Sequence, residues 1–398
     1  MNFYCVKSGR AGAAVGVAAL CGMTMAGCGG GGSSAGSMAP PSTAAFADTA
    51  LVSDKTEVIA TAATVDSNLQ NPWGIAVAPG LPFWIADNNS NVSTLYSGAG
   101  KVQTQTITGS PETGIAIPAS AANVPANPTG QVYNGNGGFL IPTTQGRESA
   151  LFIFDGEGGL ISAWAEHSGA SAVTVYDDGA ANGDDHAVYK GLALGTLSGA
   201  TYLYATDLHN NKVDVFDTNF SKPLAMQGKF VDPDLPPGFV PFGIASLSGQ
   251  LYVSFAKQDT AQHDEITGAG LGYVDVFDFS GNLVNKFASA GALNTPWGMA
   301  VAPAGFGTLE GNVLIGNFGD GKINIFSSNG TALATAKGPL MGGNGQALSF
   351  PGLWSLAFGN GDVDKPSTTL FYTAGFADQT DGVFGSITTA AAAPGGGY

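Results

Sequence analysis

The chain has 398 residues and a formal net charge of −16 at pH 7, because 30 aspartates and glutamates outnumber 14 lysines and arginines. Without basic clusters, this acidic balance excludes a protein that binds nucleic acid through phosphate contacts. Its three cysteines all lie within the first 28 residues, so the rest of the chain has no disulfide and must rely on a hydrophobic core.

Residues 1–27 have the pattern of an export signal. A short basic region precedes the small, apolar run 11–26, which is too short for a spanning helix. The segment Met25-Ala26-Gly27-Cys28 resembles the lipobox of bacterial lipoproteins and predicts acylation of Cys28; the alternative is an ordinary signal with a chance cysteine. The signal and this segment predict an extracytoplasmic protein that is lipid-anchored to a bacterial membrane. Gly29 stands where an aspartate would indicate retention in the inner membrane, so in a Gram-negative cell we expect the outer membrane.

The next segment, residues 28–47, has no charge and is rich in glycine, serine, alanine and proline after its cysteine. This composition is typical of a flexible tether that holds a folded domain near a membrane. Residues 389–398 are a similar loose tail. The folded domain is therefore predicted to span residues 48–388.

Six similar units fill this domain. Each contains three short runs rich in valine, isoleucine, phenylalanine and tyrosine, separated by glycine, proline, asparagine and aspartate, which is the pattern of β-strands and turns. Repeats about 55 residues apart, each made of short predicted strands, predict a β-propeller. The residues that precede the first run of the units are Pro72, Pro128, Tyr189, Pro241, Pro296 and Leu353.

The two ends of the domain suggest how the ring closes. The sixth unit ends after its third strand, at Ile387, and a strand-like segment, residues 51–59, precedes the first unit. An N-terminal strand that completes the last blade would remove the exposed sheet edges of an open stack. We therefore predict an all-β, six-bladed propeller with four-stranded blades, closed by the N-terminal strand.

Six segments fall in order along the units, at residues 71–76, 188–193, 209–217, 235–242, 316–324 and 352–361. They resemble segments of an uncharacterised family of secreted bacterial proteins with a six-bladed, NHL-like propeller. More distantly, the architecture is similar to gluconolactonase-type propellers, which are metal-dependent hydrolases, and to NHL propellers, which are mostly binding platforms. The family carries no activity to transfer, and fold likeness alone does not choose between these two functions.

Polar residues are expected to meet on one face of the ring, where the first strand of each blade begins and the second strand ends. Their carboxylates and amides suit a hard cation such as Ca²⁺. The alternative is that tight turns simply require such residues. We predict Asp207 and Asp320 as metal ligands. The ligand-binding candidates on this face are Lys190, Asp87, Asn88, Asn210 and Asn317.

Two of these positions suggest specific chemistry. His209, with Asp207 two residues earlier, is a candidate base oriented by a carboxylate, although no nucleophile motif accompanies it and a turn histidine is the alternative. Lys190 stands where four other units have an aromatic residue, so it is a candidate for recognising an anionic or sugar-like ligand at the channel mouth. The alternative for the aromatic residues is blade-to-blade packing.

These features predict a membrane-tethered propeller that binds a small molecule or a protein. The alternative is a metal-dependent hydrolase of lactone- or sugar-type small molecules at the central channel. A third possibility is an assembly module that uses the rims of the blades.

Overall fold

A computed structural model describes residues 45–57, 61–107, 110–178, 186–327 and 333–390. The predicted signal, Cys28 and most of the tether and tail lie outside these residues. Helical structure in the described part is limited to the short turns Glu166–Ser168, Leu224–Met226 and Phe376–Gln379. None of the described helices has the length and apolar character needed to cross a bilayer.

Short strands make up the rest of the regular structure. The strands in the first half of the chain are β1 (Phe46–Ser53), β2 (Thr64–Val65), β3 (Pro72–Ala76), β4 (Phe83–Asp87), β5 (Val92–Tyr96), β6 (Gln105–Ile107), β7 (Ser110–Glu112), β8 (Gly114–Ala116), β9 (Pro128–Tyr133), β10 (Leu140–Thr143), β11 (Gly146–Ser149), β12 (Phe152–Gly156), β13 (Leu160–Trp164), β14 (Val173–Asp177), β15 (Tyr189–Leu197), β16 (Ala200–Asp207) and β17 (Lys212–Phe216). Those in the second half are β18 (Phe239–Leu247), β19 (Gln250–Gln258), β20 (Glu265–Ile266), β21 (Tyr273–Phe277), β22 (Leu283–Ser289), β23 (Pro296–Val301), β24 (Val313–Asn317), β25 (Ile323–Ser327), β26 (Thr335–Pro339), β27 (Leu353–Phe358), β28 (Leu370–Ala374) and β29 (Val383–Thr389).

These strands form six sheets, antiparallel except for the β1–β2 pair, which we number blades 1 to 6 along the chain. The innermost strands are β3, β9, β15, β18, β23 and β27, and each successive strand pairs outward from the one before. The hairpins β6–β7 and β10–β11 are separate from the blades. The predicted six-bladed, all-β propeller is confirmed, because each predicted run forms a strand at its expected place in a blade.

Ring closure follows the predicted route. Strand β1 pairs antiparallel with β29, from Phe46 opposite Thr389 to Ser53 opposite Val383, and so supplies the fourth strand of blade 6. The short strand β2 extends the same sheet by parallel pairing with β1. The N-terminal and C-terminal strands of the domain therefore hold each other in one sheet, and the strands begin at Phe46, inside the segment predicted as tether.

Blade 3 departs from the four-strand prediction. Among the described residues its sheet contains only β15, β16 and β17. Pro223 and the helical turn that follows occupy the place of an outer strand, and the side chain of Gln227 replaces part of its hydrogen bonding. The Gln227 amide donates to the Val215 carbonyl (2.9 Å) and accepts from the Val215 N–H (3.5 Å). A side chain thus covers the edge that a fourth strand covers elsewhere.

Glycines allow the blades to meet near the axis. A small residue lies two positions after each residue that precedes the first run of a unit (Pro72, Pro128, Tyr189, Pro241, Pro296 and Leu353). It is Gly74, Gly130, Gly191, Gly243 or Gly298 in blades 1 to 5, and Ser355 in blade 6. A Cβ on Gly298 would lie 2.3 Å from the Trp354 carbonyl oxygen, in the next blade. A larger side chain at Gly298 would therefore push blades 5 and 6 apart.

Hydroxyl groups on the second strands connect the same neighbours. The hydroxyl of Ser254 donates to the Pro296 carbonyl in blade 5 (2.7 Å), and that of Thr373 donates to the Trp73 carbonyl across the closure point (2.6 Å). Thr206 makes the matching bond to Phe242. These bonds satisfy backbone carbonyls on the inner edge of the next blade, where no strand pairs with them.

Candidate functional site

An aromatic plug closes the central channel on the face where the innermost strands begin. We define the plug as Trp73, Phe242, Trp297 and Trp354. Each is buried, and each directly follows the residue that precedes the first run of its unit. Trp73 and Trp354 stack with ring centroids 3.4 Å apart, and Trp297 meets Trp73 edge-on at 5.8 Å. The plug explains why aromatic residues recur at this position, as the packing alternative expected.

Lys190 occupies the equivalent position in blade 3, and its long side chain is almost completely buried (1% exposed). Its ammonium lies 5.4 Å from the ring centroid of Trp73, and its carbonyl accepts a hydrogen bond from Trp297 Nε1 (2.7 Å). A buried ammonium is costly unless it is paired with acceptors or anions. Carboxylates from two other blades provide that pairing.

The residues around this ammonium form what we call the axial cluster: Glu157, Lys190, His263, Asp264 and Glu265. Glu157 Oε1 accepts a hydrogen bond from Lys190 Nζ. The same ammonium lies 3.2 Å from Asp264 Oδ1 and 3.9 Å from Glu265 Oε2. His263 Nδ1 lies 3.0 Å from Asp264 Oδ1 and adds an imidazole on the outer side. Three carboxylates therefore surround one buried lysine.

Two loops from different blades bring these groups to Lys190. Glu157 lies in the turn between β12 and β13 of blade 2, where Asn88 Nδ2 donates to its Oε2 (2.9 Å). The other three belong to residues 259–272 of blade 4, which form a longer connection between second and third strands than the corresponding turn of blade 1. Strand β20 pairs with the end of β19 and holds this connection over the ring.

The charges within the axial cluster perturb one another. Burial alone would lower the pKa of Lys190, but Glu157, Glu265 and Asp264 outweigh it and hold that pKa above its ordinary value. Burial raises the pKa of Glu265 to about 7, although Lys190 opposes the shift. The hydrogen bond from His263 and the nearby ammonium hold the pKa of Asp264 well below its usual range. Perturbed groups that converge at one end of a channel are typical of a binding or catalytic site.

Burial divides the axial cluster into an inner and an outer part. The side chains of Lys190 and Glu265 are at most 4% exposed, whereas that of Asp264 is 63% exposed and that of His263 is about half exposed. Glu265 Oε2 has no hydrogen-bond partner among the residues that the structure describes. The cluster thus presents accessible ligand atoms to solvent above a buried charged pair.

Glu157, His263 and Asp264 have the chemistry and spacing of a metal site. Each offers one ligand atom, and these atoms all lie within 4.8 Å of one another. Ligand atoms about 2.1 Å from a tetrahedral zinc lie about 3.4 Å from one another, so the exposed Asp264 and His263 side chains would have to move closer together to bind an ion. One imidazole with two carboxylates suits Zn²⁺ or Mn²⁺, whereas Ca²⁺ prefers oxygen ligands alone.

Of the two predicted ligand residues in blade 1, one contacts the axial cluster and the other does not. Asn88 contacts it directly through Glu157 and also donates to the Asn127 carbonyl (3.1 Å). Asp87 is fully buried beside the turn; its Oδ2 accepts from the Thr94 N–H (3.1 Å), and burial raises its pKa well above the ordinary value. Asp87 therefore organises its own blade, while Asn88 orients a member of the axial cluster.

The predicted residues of blade 3 belong to a turn beside the cluster. The Asp207 carboxylate accepts hydrogen bonds from the Val188 N–H (3.1 Å) and from Asn210 Nδ2 (2.8 Å). His209 stacks on His186 at 4.6 Å, and its Nδ1 lies 3.1 Å from the Gln262 carbonyl. Asp207 and His209 thus contact different groups, and Asp207 works as a turn carboxylate.

The predicted metal pair is split between blades. Asp320 lies in a turn of blade 5, where its Oδ1 accepts from Asn317 Nδ2 (3.0 Å) and its Oδ2 lies 3.2 Å from Lys322 Nζ. Asp207 is in blade 3, and blade 4 stands between them. Each carboxylate is held within its own turn, so a shared ion for this pair stays a prediction that the geometry does not favour.

No protein-family model matches the chain. The uncharacterized protein R648 of Acanthamoeba polyphaga mimivirus is 32% identical over 342 residues, which cover 85% of this chain and 78% of R648. The uncharacterized protein L690 of the same virus is 32% identical over 331 residues, which cover 82% of both chains. The prediction of a bacterial family is therefore wrong, because these relatives are viral; the quoted segments are blade-forming residues, which report the fold rather than its source.

Among solved structures, a crystal structure of a glucose dehydrogenase superposes with a TM-score of 0.51 at 13% sequence identity. The match covers 87% of this chain and all of that one. At this identity the likeness shows the propeller fold alone.

Proposed function

This chain belongs to the family of the mimivirus proteins R648 and L690, and we propose that it is a ligand-binding propeller that holds a divalent cation at the axial cluster. The cation would be bound by Glu157, His263 and Asp264. The observation that carries the proposal is that three carboxylates from two blades converge on a single buried ammonium, with an imidazole against one of them. They lie on the face where the candidate ligand residues were expected.

The excess of negative charge argues for a ligand beyond Lys190. One carboxylate is enough to neutralise one ammonium, and Glu157 already makes that pair. Glu265 is nevertheless buried with an oxygen that lacks a hydrogen bond in the described part of the chain, and Asp264 projects outward beside His263. Leaving a buried carboxylate oxygen without a donor costs stability, and nearby positive charge compensates for it.

Metal-dependent thermal unfolding tests the proposal. The protein should be melted with chelator and then with Mn²⁺, Zn²⁺, Ca²⁺ or Mg²⁺ restored. A site saturated at 100 times its dissociation constant stabilises the folded state by about 2.7 kcal/mol, which is visible as a higher midpoint. We expect Mn²⁺ or Zn²⁺ to stabilise the wild type more than Ca²⁺ does.

Variants identify which residues bind the ion. Glu157→Gln and Asp264→Asn should each abolish the metal-dependent shift, whereas Asp320→Asn, which changes a carboxylate in another turn of the same face, should leave it intact. If Asp320→Asn abolishes the shift and the other two do not, the ion belongs to the residues that the turn pattern first indicated. The absence of a shift with every ion would contradict the proposal.

Hydrolysis of lactone- or sugar-type small molecules at the same site is the second candidate function. One observation favours it: the proposed ligands Asp264 and His263 are exposed to solvent, so an ion held there could activate a bound water molecule as the nucleophile. A lactone panel should then be hydrolysed only with metal present, and His263→Asn should abolish turnover. Metal binding without turnover on the panel would leave the binding function alone.

Export and acylation of Cys28 remain predictions, because the segment that carries them lies outside the described residues. Intact-mass measurement of the mature protein, with Cys28→Ser as the control, tests both. Cleavage before Cys28 and a lipid mass that is lost in the variant would support the anchor; an unmodified mature chain would contradict it.

A further inference from the structure

Asparagine–glycine steps occur at four places in the described part of the chain. In such a step the glycine nitrogen can attack the asparagine side chain, because glycine has no Cβ to hinder the approach and its backbone rotates freely. The ring that forms has two requirements: the asparagine side chain must turn, and the glycine N–H must be free of hydrogen bonds. The four steps are Asn134-Gly135, Asn136-Gly137, Asn344-Gly345 and Asn360-Gly361.

Hydrogen bonds hold the side chains of the first and last of these asparagines. Asn134 is 2% exposed, and its Nδ2 donates to the Ala150 carbonyl (2.9 Å). Asn360 Nδ2 donates to the Ala78 carbonyl (3.1 Å), while its Oδ1 accepts from the Asp362 N–H (3.1 Å). Neither side chain can turn toward the next backbone nitrogen until these bonds break, so local opening must precede the reaction.

The step at Asn344 is exposed but is held in a turn. The Gly345 N–H, which would have to attack, donates to the Gly342 carbonyl (3.0 Å). Asn344 Oδ1 accepts a hydrogen bond from the Gln346 N–H (2.9 Å). Both partners of the reaction are therefore restrained, although solvent reaches them.

The step at Asn136 meets both requirements. Asn136 is exposed, and its side chain makes no hydrogen bond with a residue of the described ranges. The Gly137 N–H likewise has no acceptor in those ranges. Gly137 and Gly138 both have a φ of +73°, so two residues in succession use a backbone conformation that glycine adopts easily. Of the four steps, this one combines exposure with an unrestrained side chain and backbone nitrogen.

The position of this step separates it from the axial cluster. Strand β9 begins on the face of the aromatic plug and ends at Tyr133, so Asn136 lies on the opposite face, where the chain enters the hairpin β10–β11. Asn136 and Gly137 line a groove of about 300 Å³ between blades 2 and 3. Asp217 of blade 3 lines the same groove. A chemical change at Asn136 would therefore act on this groove and on the entry to the hairpin.

We propose that Asn136 is a site of spontaneous deamidation in the folded protein. The Gly137 nitrogen bonds to Asn136 Cγ, the Cγ–Nδ2 bond breaks, and the amide leaves as ammonia with the proton of the Gly137 N–H. Water then opens the succinimide ring at either carbonyl and leaves an aspartate or an isoaspartate. No oxidant or reductant takes part. Either product adds a negative charge to the groove that Asp217 lines, and isoaspartate also lengthens the main chain by one methylene group.

Peptide mapping by mass spectrometry tests the proposal, because it follows all four steps in one sample. The folded protein is incubated in mildly alkaline buffer, and electron-transfer fragmentation distinguishes isoaspartate from aspartate. We expect Asn136 to deamidate at least about tenfold faster than the other three asparagines, because each hydrogen bond that must break first slows the reaction by up to about tenfold. An acidic charge variant should accumulate in parallel on ion exchange.

Two controls separate the effect of the fold from that of the dipeptide. In urea the four steps should react at similar rates, since each is then an unrestrained asparagine followed by glycine. Asn136→Gln, at an exposed position, should keep the fold and prevent the acidic variant from accumulating, because glutamine would have to form a larger ring. The proposal is overturned if Asn136 in the folded protein reacts no faster than Asn360, or if the acidic variant accumulates equally in Asn136→Gln.

Discussion

The residue after each plug position determines how closely neighbouring blades can approach. At Gly298 a methyl group would lie 2.3 Å from the Trp354 carbonyl oxygen and 2.9 Å from the Leu356 nitrogen, both of which are backbone atoms of the next blade. Backbone atoms of a packed ring cannot move away as a flexible side chain can. The close packing of neighbouring blades at the axis therefore depends on single residues such as Gly298.

Gly298→Ala is accordingly expected to lower the free energy of unfolding by about 1–3 kcal/mol, the usual cost of overpacking a core. Urea unfolding of the two proteins measures the difference. Gly343→Ala is the matched control, because a Cβ there would meet nothing within 4 Å. Equal losses in both variants would show that the space between blades is not what requires glycine.

Asp155 gives the ring a predictable response to pH. Thr129 Oγ1 (2.9 Å) and the Gly130 N–H (2.6 Å) donate to its Oδ1, while its Oδ2 has no partner in the described structure. Burial outweighs these bonds and raises its pKa from 3.8 to about 7. Between these two values the folded state holds a proton that the unfolded state has released, so this group's contribution to stability falls as pH rises through 7.

Asp155→Asn removes this titration and keeps an acceptor oxygen for Thr129 and Gly130. We expect the stability of the wild type, relative to the variant, to decrease between pH 5 and pH 8, by up to about 1.4 kcal/mol per pH unit below the folded pKa. Urea unfolding at both pH values measures it. A difference between the two proteins that does not change with pH would contradict the assignment.

Blade 3 shows how one element compensates for a missing strand. Its outer edge, β17, is completed by the Gln227 side chain rather than by a backbone. Gln227→Ala should speed amide hydrogen exchange at Val215 and destabilise the protein by about 1 kcal/mol, the worth of a typical hydrogen bond. Gln145→Ala, at an exposed turn, is the control. Unchanged exchange at Val215 would mean that another group protects this edge.

The strands were predictable because their pattern is local. Runs such as those that become β4 and β24 alternate with glycine- and asparagine-rich turns, and that pattern needs no knowledge of the neighbours. The missing fourth strand of blade 3 was not found from the repeat count, although Pro223 removes a backbone donor there. The repeats determine the ring, while departures within one blade depend on side-chain contacts.

The candidate site was predictable only in part, for the same reason. Lys190 was identified because it breaks an aromatic pattern, and Asn88 because it lies in a polar turn. Glu157, Asp264 and Glu265 were missed, because only the folded ring brings the blade 2 turn and the blade 4 connection over Lys190. The extra length of the connection between β19 and β21 was the available signal.

At the scale of the whole molecule, β1 determines whether the ring closes. Phe46 and Ala50 pack into the core cluster of blades 5 and 6, and Phe46 meets the ring of Phe306 with centroids 4.8 Å apart. A chain that begins at residue 54 should lose cooperative thermal unfolding and aggregate, because β29 becomes an open edge. A chain that begins at residue 45 should melt normally. Identical melting of the two would show that closure does not stabilise the ring.

The aromatic plug divides the axis of the molecule into two chemically different ends. One end carries the axial cluster, with its three carboxylates and one buried ammonium, and the other is a cavity of about 320 Å³ whose lining residues carry no charge. Because four large aromatic side chains fill the space between them, we expect ligands to reach the two ends independently. The cation site is the central functional claim.

Isothermal titration of Mn²⁺ into the metal-free protein tests that claim most directly, with the double variant Glu157→Gln, Asp264→Asn measured beside the wild type. We predict one ion per wild-type chain and none for a double variant that retains its folded circular-dichroism spectrum. Absence of binding to the wild type, or equal binding to both proteins, would contradict a cation site at the axial cluster.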